Sequence, residues 1–208
     1  MMSNNTMRPT VFVVDDDEDM RDSILWLLES VNLYAEAYAG AGAFLQACDP
    51  QREGCLLLDV RMPGMSGMEL LEQLGSCGIH LPVIILTGHG DVPMAVRALK
   101  HGAFDFLQKP FNGQELLDQI NAALRQDAER HRQRREMHVL HAHYEALTHR
   151  EAEVMELVVA GNSSKAIGQK LGISPKTVDI HRANIMRKLD VHTIAELVQS
   201  RLALRGEE

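Results

Sequence analysis

The stretch CLLLDVRMPGMSG, residues Cys55 to Gly67, carries four apolar residues (three of them Leu) straight into a carboxylate, Asp59, and then breaks at Pro63, Gly64 and Gly67. A run without polar alternation reads as a strand buried on both faces, which belongs in a parallel sheet. An aspartate at its C-terminal end is either a helix cap or turn residue, or a nucleophile held out at the sheet edge. The segments around it decide between these.

Other apolar runs repeat the pattern. TVFVV (Thr10–Val14) stops at three aspartates, PVIILT ends at Thr87, and FDFLQ ends before Lys109-Pro110. YAEAYA, from Tyr34, is a weaker strand signal. Helical segments lie between them. In DMRDSILWLLESV, residues Met20, Ile24, Leu27, Leu28 and Val31 share one face. GAFLQAC, GMELLEQLG, VPMAVRALKHG and GQELLDQINAALRQ follow, the fourth of these five helices stopping at Gly102, a natural C′ residue. Five strands alternating with five helices predict a parallel sheet covered on both faces. Functional groups in such sheets gather at the C-terminal ends of the strands.

Composition sets bounds. The chain has 208 residues, 45% hydrophobic and 4% aromatic, as expected for a globular protein of one large or two modest domains. No apolar run approaches a membrane span. MMSNNTMRPT has no apolar h-region, so no secretory signal is expected. Cys48, Cys55 and Cys77 form no CxxC pair and read as reduced thiols of a cytoplasmic protein. The overall charge of −8 argues against a nucleic-acid partner until it is divided. Residues 1–124 hold seven Lys/Arg against seventeen Asp/Glu, a net −10, whereas residues 147–208 hold nine against eight. Within Ser174–Leu189 the count is four against one, a local basic face.

Brought together at one sheet edge, the strand ends supply Asp15, Asp16, Asp59, Thr87 and Lys109. Three carboxylates held close repel, and a divalent cation relieves that. Oxygen donors without His or Cys select Mg²⁺ (or Mn²⁺) over zinc. The Thr87 hydroxyl and the Lys109 ammonium suit phosphoryl oxygens. Asp59 is then the candidate nucleophile, because an ionised carboxylate attacks phosphorus without a general base. Taken singly, Asp59 reads as a turn residue, Asp17 as a helix cap and Lys109 as a strand end; the joint pattern is what points to chemistry.

These residues carry a resemblance. VVDDD, LLLDVRMPGMSGMELL and VIILTGHGDVPMAVRALKHGAFDFLQKPF resemble the receiver domain of two-component response regulators, the last most closely the FixJ-type subgroup. The resemblance spans residues 9–124 and implies a doubly wound, flavodoxin-like, five-stranded sheet. It implies Asp59 as phosphoacceptor, and Mg²⁺ on Asp16, Asp59 and the Arg61 backbone carbonyl, with Asp15 acting through water. It further implies Thr87 and Lys109 on the phosphoryl oxygens, a cis Lys109-Pro110 bond, and Phe106 at the aromatic switch position. Phe106 stands where some relatives have Tyr, so its movement must act through packing alone. Arg61 and His89, each two residues beyond a pocket residue, are expected to tune dephosphorylation.

Residues 125–143, polar and free of Pro and Gly, read as a helical linker continuing the fifth helix. Met137, Leu140 and Tyr144 offer an apolar stripe for a second copy, and the histidines at 131, 138, 141 and 143 read as a solvated face. Residues 144–205 have no strand signal. Thr148 with Glu151, and Thr193 with Glu196, have capping-box spacing; Ser174-Pro175 opens another helix. Four short helices result, two of them joined by Gly172-Ile173 as in a helix-turn-helix. On SPKTVDIHRANIMRKL, Val178, Ile185 and Leu189 form a core stripe with His181 at its edge. Lys176, Asp179, Ile180, Ala183 and Arg187 face outward. Asp179 suits cytosine N4, and Ile180 or Ala183 a thymine methyl. Lys165, Thr177, Arg182 and Lys188 suit phosphates.

The segment LTHREAEVMELVVAGNSSKAIGQKLGISPKTVDIHRANIMRKLDVHT is similar to the LuxR/NarL-type helix-turn-helix output domain. That likeness implies dimer contacts through Thr193–Leu204 on double-stranded DNA. The expectation is a cytoplasmic transcription factor whose Asp59 receives phosphate from a sensor histidine kinase. It then dimerises, binds its operator and works with RNA polymerase. Two other readings compete. A phosphatase needs a general acid two residues after the nucleophile, where Arg61 stands, and a cap insertion the sequence lacks. A constitutive DNA binder fits a degenerate pocket, whereas all five pocket residues are present.

Overall fold

The computed structural model describes residues 8–88 and 92–205. The chain divides into two compact units between His131 and Arg132. The first contains β1 (Thr10–Val14), α1 (Glu18–Ser30), β2 (Tyr34–Tyr38), α2 (Ala41–Ala47), β3 (Gly54–Asp59), α3 (Gly67–Leu74), β4 (Val83–Thr87), α4 (Val92–Lys100), β5 (Asp105–Gln108) and the start of α5 (Gly113–Glu145). The strands pair in parallel in the order β2-β1-β3-β4-β5. Successive side chains of a strand face opposite ways. Phe12, Val14, Leu56, Leu58, Val83 and Ile85 therefore pack under α2, α3 and α4. Val11, Val13, Cys55, Leu57, Ile84 and Leu86 pack under α1 and α5. Double-sided burial is why these strands read as unbroken apolar runs.

Local chemistry starts the helices. Asp17 caps α1, its carboxylate accepting from the Met20 N–H at 3.2 Å. Ser66 and Glu69 form a reciprocal capping box on α3 that its sequence had not singled out. The weak β2 is held from outside. Arg52 reaches it from the loop before β3, pairing with Glu36 at 2.8 Å, donating to the Thr10 hydroxyl at 2.7 Å and lying 4.9 Å over the Phe12 ring.

α5 stays packed on the first unit beyond residue 124, because Asp127 is 2% exposed and accepts from the Gly54 N–H at 2.8 Å. Burial pushes its carboxyl above the usual range, and that hydrogen bond opposes the shift. Gly54 has φ +152°, and a Cβ there would lie 1.9 Å from the Thr10 carbonyl oxygen. Only glycine fits this approach.

The second unit holds the end of α5, α6 (His149–Val159), α7 (Ser164–Leu171), α8 (Pro175–Lys188) and α9 (Ile194–Arg205). Its core gathers Val154, Met155, Val158, Ile167, Val178, Ile185, Leu189 and Leu197. Tyr144 packs against this core with the Arg201 guanidinium 5.5 Å from its ring, so it serves this unit rather than an open stripe. The Thr148–Glu151 capping box forms as expected. At α9 the Glu196 carboxylate instead accepts from the His192 N–H, one residue ahead of Thr193. Among the described residues no helix is long and apolar enough to cross a membrane.

Candidate functional site

The sheet order reverses between β1 and β3, the point at which open parallel sheets place their sites, at the C-terminal ends of the strands. Asp15 follows β1, Asp59 ends β3, Thr87 ends β4, and Lys109 follows β5. The Lys109 ammonium joins two of these ends, lying 2.6 Å from Asp15 Oδ2 and 2.6 Å from Asp59 Oδ1. Asp59 Oδ2 accepts from the Arg61 N–H at 2.6 Å. Asp15 Oδ1 accepts from the Asp17 N–H at 2.9 Å, and the Asp15 carbonyl accepts from Arg21 at 2.8 Å. Both Asp15 carboxylate oxygens are thus engaged by protein donors.

Burial pushes the Asp59 carboxyl above the ordinary carboxylate range, while the hydrogen bond from Lys109 pulls the other way. Burial also works against the charged Lys109, but its hydrogen bonds to Asp15 and Asp59 outweigh that and hold its ammonium above the usual range. The pair is an oriented, buried carboxylate beside a fixed and largely covered cation. Thr87 is buried, and its carbonyl accepts from the Lys109 N–H at 2.7 Å. Asp16 is exposed at the mouth. Phe106 is 37% exposed, and the Lys109-Pro110 bond is cis. His89 lies outside the described residues.

Gly67 lets α3 start against the phosphoacceptor candidate. A Cβ there would lie 2.1 Å from the Asp59 carbonyl oxygen. Gly67→Ala is therefore expected to force α3 away from β3 and to destabilise the first unit by about 2 kcal/mol, the usual cost of overpacking. Urea unfolding of the full chain measures this; a change within a few tenths of a kcal/mol would contradict the close approach.

In the second unit α8 buries Val178, Ile185 and Leu189 and turns Lys176, Asp179, Ile180, Ala183 and Arg187 outward. Ile180 is 55% exposed. Lys165 is also exposed, whereas the Thr177 hydroxyl is shared with the α8 cap, 2.8 Å from the Ser174 oxygen. His181 is half-buried with its Nδ1 turned inward. Lys188, expected among the phosphate contacts, is partly exposed and is paired within the unit. Its ammonium donates to Glu151 at 2.7 Å and to the Ala146 carbonyl at 2.9 Å, because the last turn of α8 leans on the start of α6.

Residues 11–121 match the response regulator receiver domain family, and residues 145–200 match the luxR family of bacterial regulatory proteins. The transcriptional regulatory protein FixJ of Azorhizobium caulinodans is 45% identical over 92% of this chain and 91% of its own. Nodulation protein W of Bradyrhizobium diazoefficiens is 44% identical over 91% of this chain and 83% of its own. The chain belongs to the response-regulator family. Among solved structures, response regulator StyR aligns with a TM-score of 0.87 at 45% identity, covering 94% of this chain and 99% of that one. Full-length FixJ from B. japonicum aligns with a TM-score of 0.59 at 40% identity, covering 95% and 97%.

This response regulator joins a receiver domain to a DNA-binding output domain, an arrangement for phosphorylation-linked transcriptional regulation rather than for turning over a substrate. Two of its site features escaped sequence reading. Arg21, one turn into α1, steadies the Asp15 carbonyl, and Ser164, at the start of α7, meets the outer face of α8. Both contacts cross between elements, and neither has a local sequence signal.

Proposed function

We propose that Asp59 is the phosphoacceptor of this regulator and that its phosphorylation by a sensor histidine kinase promotes dimerisation and operator binding. One observation carries the reading: Asp59 ends a fully buried strand at the switch point with the Lys109 ammonium 2.6 Å from its carboxylate. The strand fixes the nucleophile, and Lys109 supplies a charge for a phosphoryl oxygen. Thr87, at the neighbouring strand end, contributes a hydroxyl to the same group. Phe106, partly exposed on β5, packs inward as Thr87 moves and shifts a pre-existing equilibrium. Arg61 tunes hydrolysis of the acyl phosphate from the adjoining loop.

A divalent cation fits the donors. Among the described residues no three acidic, His or Cys side chains converge as a cage. Mg²⁺ needs only one or two carboxylates and keeps several waters. Asp16, Asp59 and the Arg61 carbonyl form such an oxygen-only set, with Asp15 in the outer position. When bound, Mg²⁺ (or Mn²⁺) neutralises charge on the transferred phosphoryl group.

The functional division is a receiver at 9–124, a linker at 125–143 and an output domain at 144–205. In the output domain Lys176, Ile180, Ala183 and Arg187 meet bases or nearby phosphates, and Lys165, Thr177 and Arg182 meet the backbone. α9 carries the dimer contact, RNA polymerase is the downstream partner, and the protein works in the cytoplasm. The test is intact mass of the full chain after incubation with Mg²⁺ and acetyl phosphate, followed by reductive trapping and fragment mapping. One added phosphoryl group, trapped at Asp59, is expected. No gain, or trapping at another residue, would overturn the assignment.

A further inference from the structure

Three side chains on the outer side of the helix-turn-helix form a directed chain of hydrogen bonds. Ser164 is the first residue of α7, following its cap Ser163. Its hydroxyl donates to Asp179 Oδ1 at 2.6 Å and accepts from Arg182 Nη1 at 3.0 Å. Asp179 and Arg182 stand three residues apart on α8, so they share a face. A hydroxyl has one proton. Here that proton goes to Asp179 while Arg182 takes a lone pair, so the carboxylate fixes the rotor and the rotor fixes the guanidinium. The carboxylate also sits by the N-terminus of α7, where a negative charge is favoured.

From this geometry we infer that Asp179 is a positioning residue: through Ser164 it sets the orientation in which Arg182 meets DNA. The inference rests on the reading of α8 as the DNA-facing helix. Without the chain, Arg182 is a flexible cation that follows any phosphate it can reach. Held by Ser164, it presents its remaining donors in one direction, and only one register of α8 in the groove satisfies them. Phosphate contacts of this kind fix register and orientation, and through them the readout of bases by neighbouring side chains. Asp179 adds a second selection, because its charge opposes phosphates that approach in other registers.

This assignment differs from direct base reading by Asp179 in one respect: Ser164, which is not needed for a contact to cytosine, becomes as important as Asp179. The experiment uses the full chain, treated with Mg²⁺ and acetyl phosphate, and a randomised duplex pool sequenced before and after capture. The sequence enriched by the native chain and a scrambled duplex then serve as probes for S164A, D179A and the S164A/D179A double variant. Circular dichroism melting confirms that each remains folded.

S164A and D179A are each expected to lower the ratio of affinities for enriched over scrambled duplex by about tenfold, comparable to one mismatched base pair. The loss is expected mainly as tighter scrambled binding for D179A. The double variant should be no worse than D179A, since S164A removes only the link that D179A also breaks. A native-like ratio in S164A, with loss in D179A, would overturn the inference in favour of direct reading by Asp179. Independent, multiplying losses in the double variant would also overturn it. If the native chain enriches no sequence, the DNA-binding reading itself fails and takes the inference with it, an outcome readily told apart from the other two.

Discussion

Asp59→Asn is expected to take up no phosphoryl group from acetyl phosphate, and its DNA binding is expected to be indifferent to that donor. The substitution keeps the shape of the side chain and removes the nucleophile, because an amide oxygen does not form a stable bond to phosphorus under these conditions. It also removes the charge that faces Lys109 at 2.6 Å, leaving that ammonium paired with Asp15 at the same distance. The fold is expected to survive. Burial holds the Asp59 carboxyl above its usual range, so its ionised form costs stability at neutral pH, and a neutral isostere relieves that cost. The first unit should therefore melt no lower than the native one. Intact mass and duplex binding, with and without acetyl phosphate, measure both expectations. A variant that still gains a phosphoryl group would move the nucleophile elsewhere, Asp16 being the next carboxylate at the mouth.

Glu151→Ala is expected to destabilise the second unit by about 3 kcal/mol, toward the lower end for breaking a buried ion pair. The Glu151 carboxylate is 4% exposed and closes the α6 capping box on the Thr148 N–H at 2.8 Å while accepting from Lys188 at 2.7 Å. Its loss leaves Lys188 with the Ala146 carbonyl alone among the contacts described above, and removes the Glu151 half of the α6 capping box. Lys188 remains 29% exposed, which keeps the cost moderate. The same carboxylate makes the unit acid-sensitive. The hydrogen bond from Lys188, with those from Thr148, lowers its pKa from 4.5 to about 2. A depressed carboxyl contributes stability above its unfolded value, and that contribution is lost as pH falls from about 4.5 toward 2. Hydrogen exchange of the Val154, Val158 and Ile185 amides in the full chain should reveal the loss. The native protein should weaken across that window, whereas Glu151→Gln, which keeps an acceptor for Thr148 without a charge, should start lower and change less. Parallel acid profiles for the two would sink the account.

Most of the receiver was legible because its physics is local or periodic. A strand buried on both faces must be apolar throughout, so β1, β3 and β4 stand out, and their last residues fall where a parallel sheet collects chemistry. Asp15, Asp59, Thr87 and Lys109 followed from that register alone. In the output domain the caps Thr148 and Ser174 and the glycine at 172, with φ of +68°, mark helix ends through near-neighbour chemistry.

What the sequence by itself determined is thus the element order, the two-unit division in outline and the carboxylates at the strand ends. Tertiary structure alone decided the partners. β2, a weak signal along the chain, is held by pairing with β1 and by Arg52 on Glu36 from a loop, an effect that propensity cannot register. Asp127 looked like linker polarity and is a buried anchor, because its partner is a backbone N–H 73 residues away. Lys188 also serves as a counterion within its unit, because the last turn of α8 faces α6. Ser164 carried no signal of its own; its role exists only where α7 and α8 cross. Periodicity and capping act over a few residues and are written along the chain. Charge pairing and close approach act through space, between groups that the sequence lists far apart.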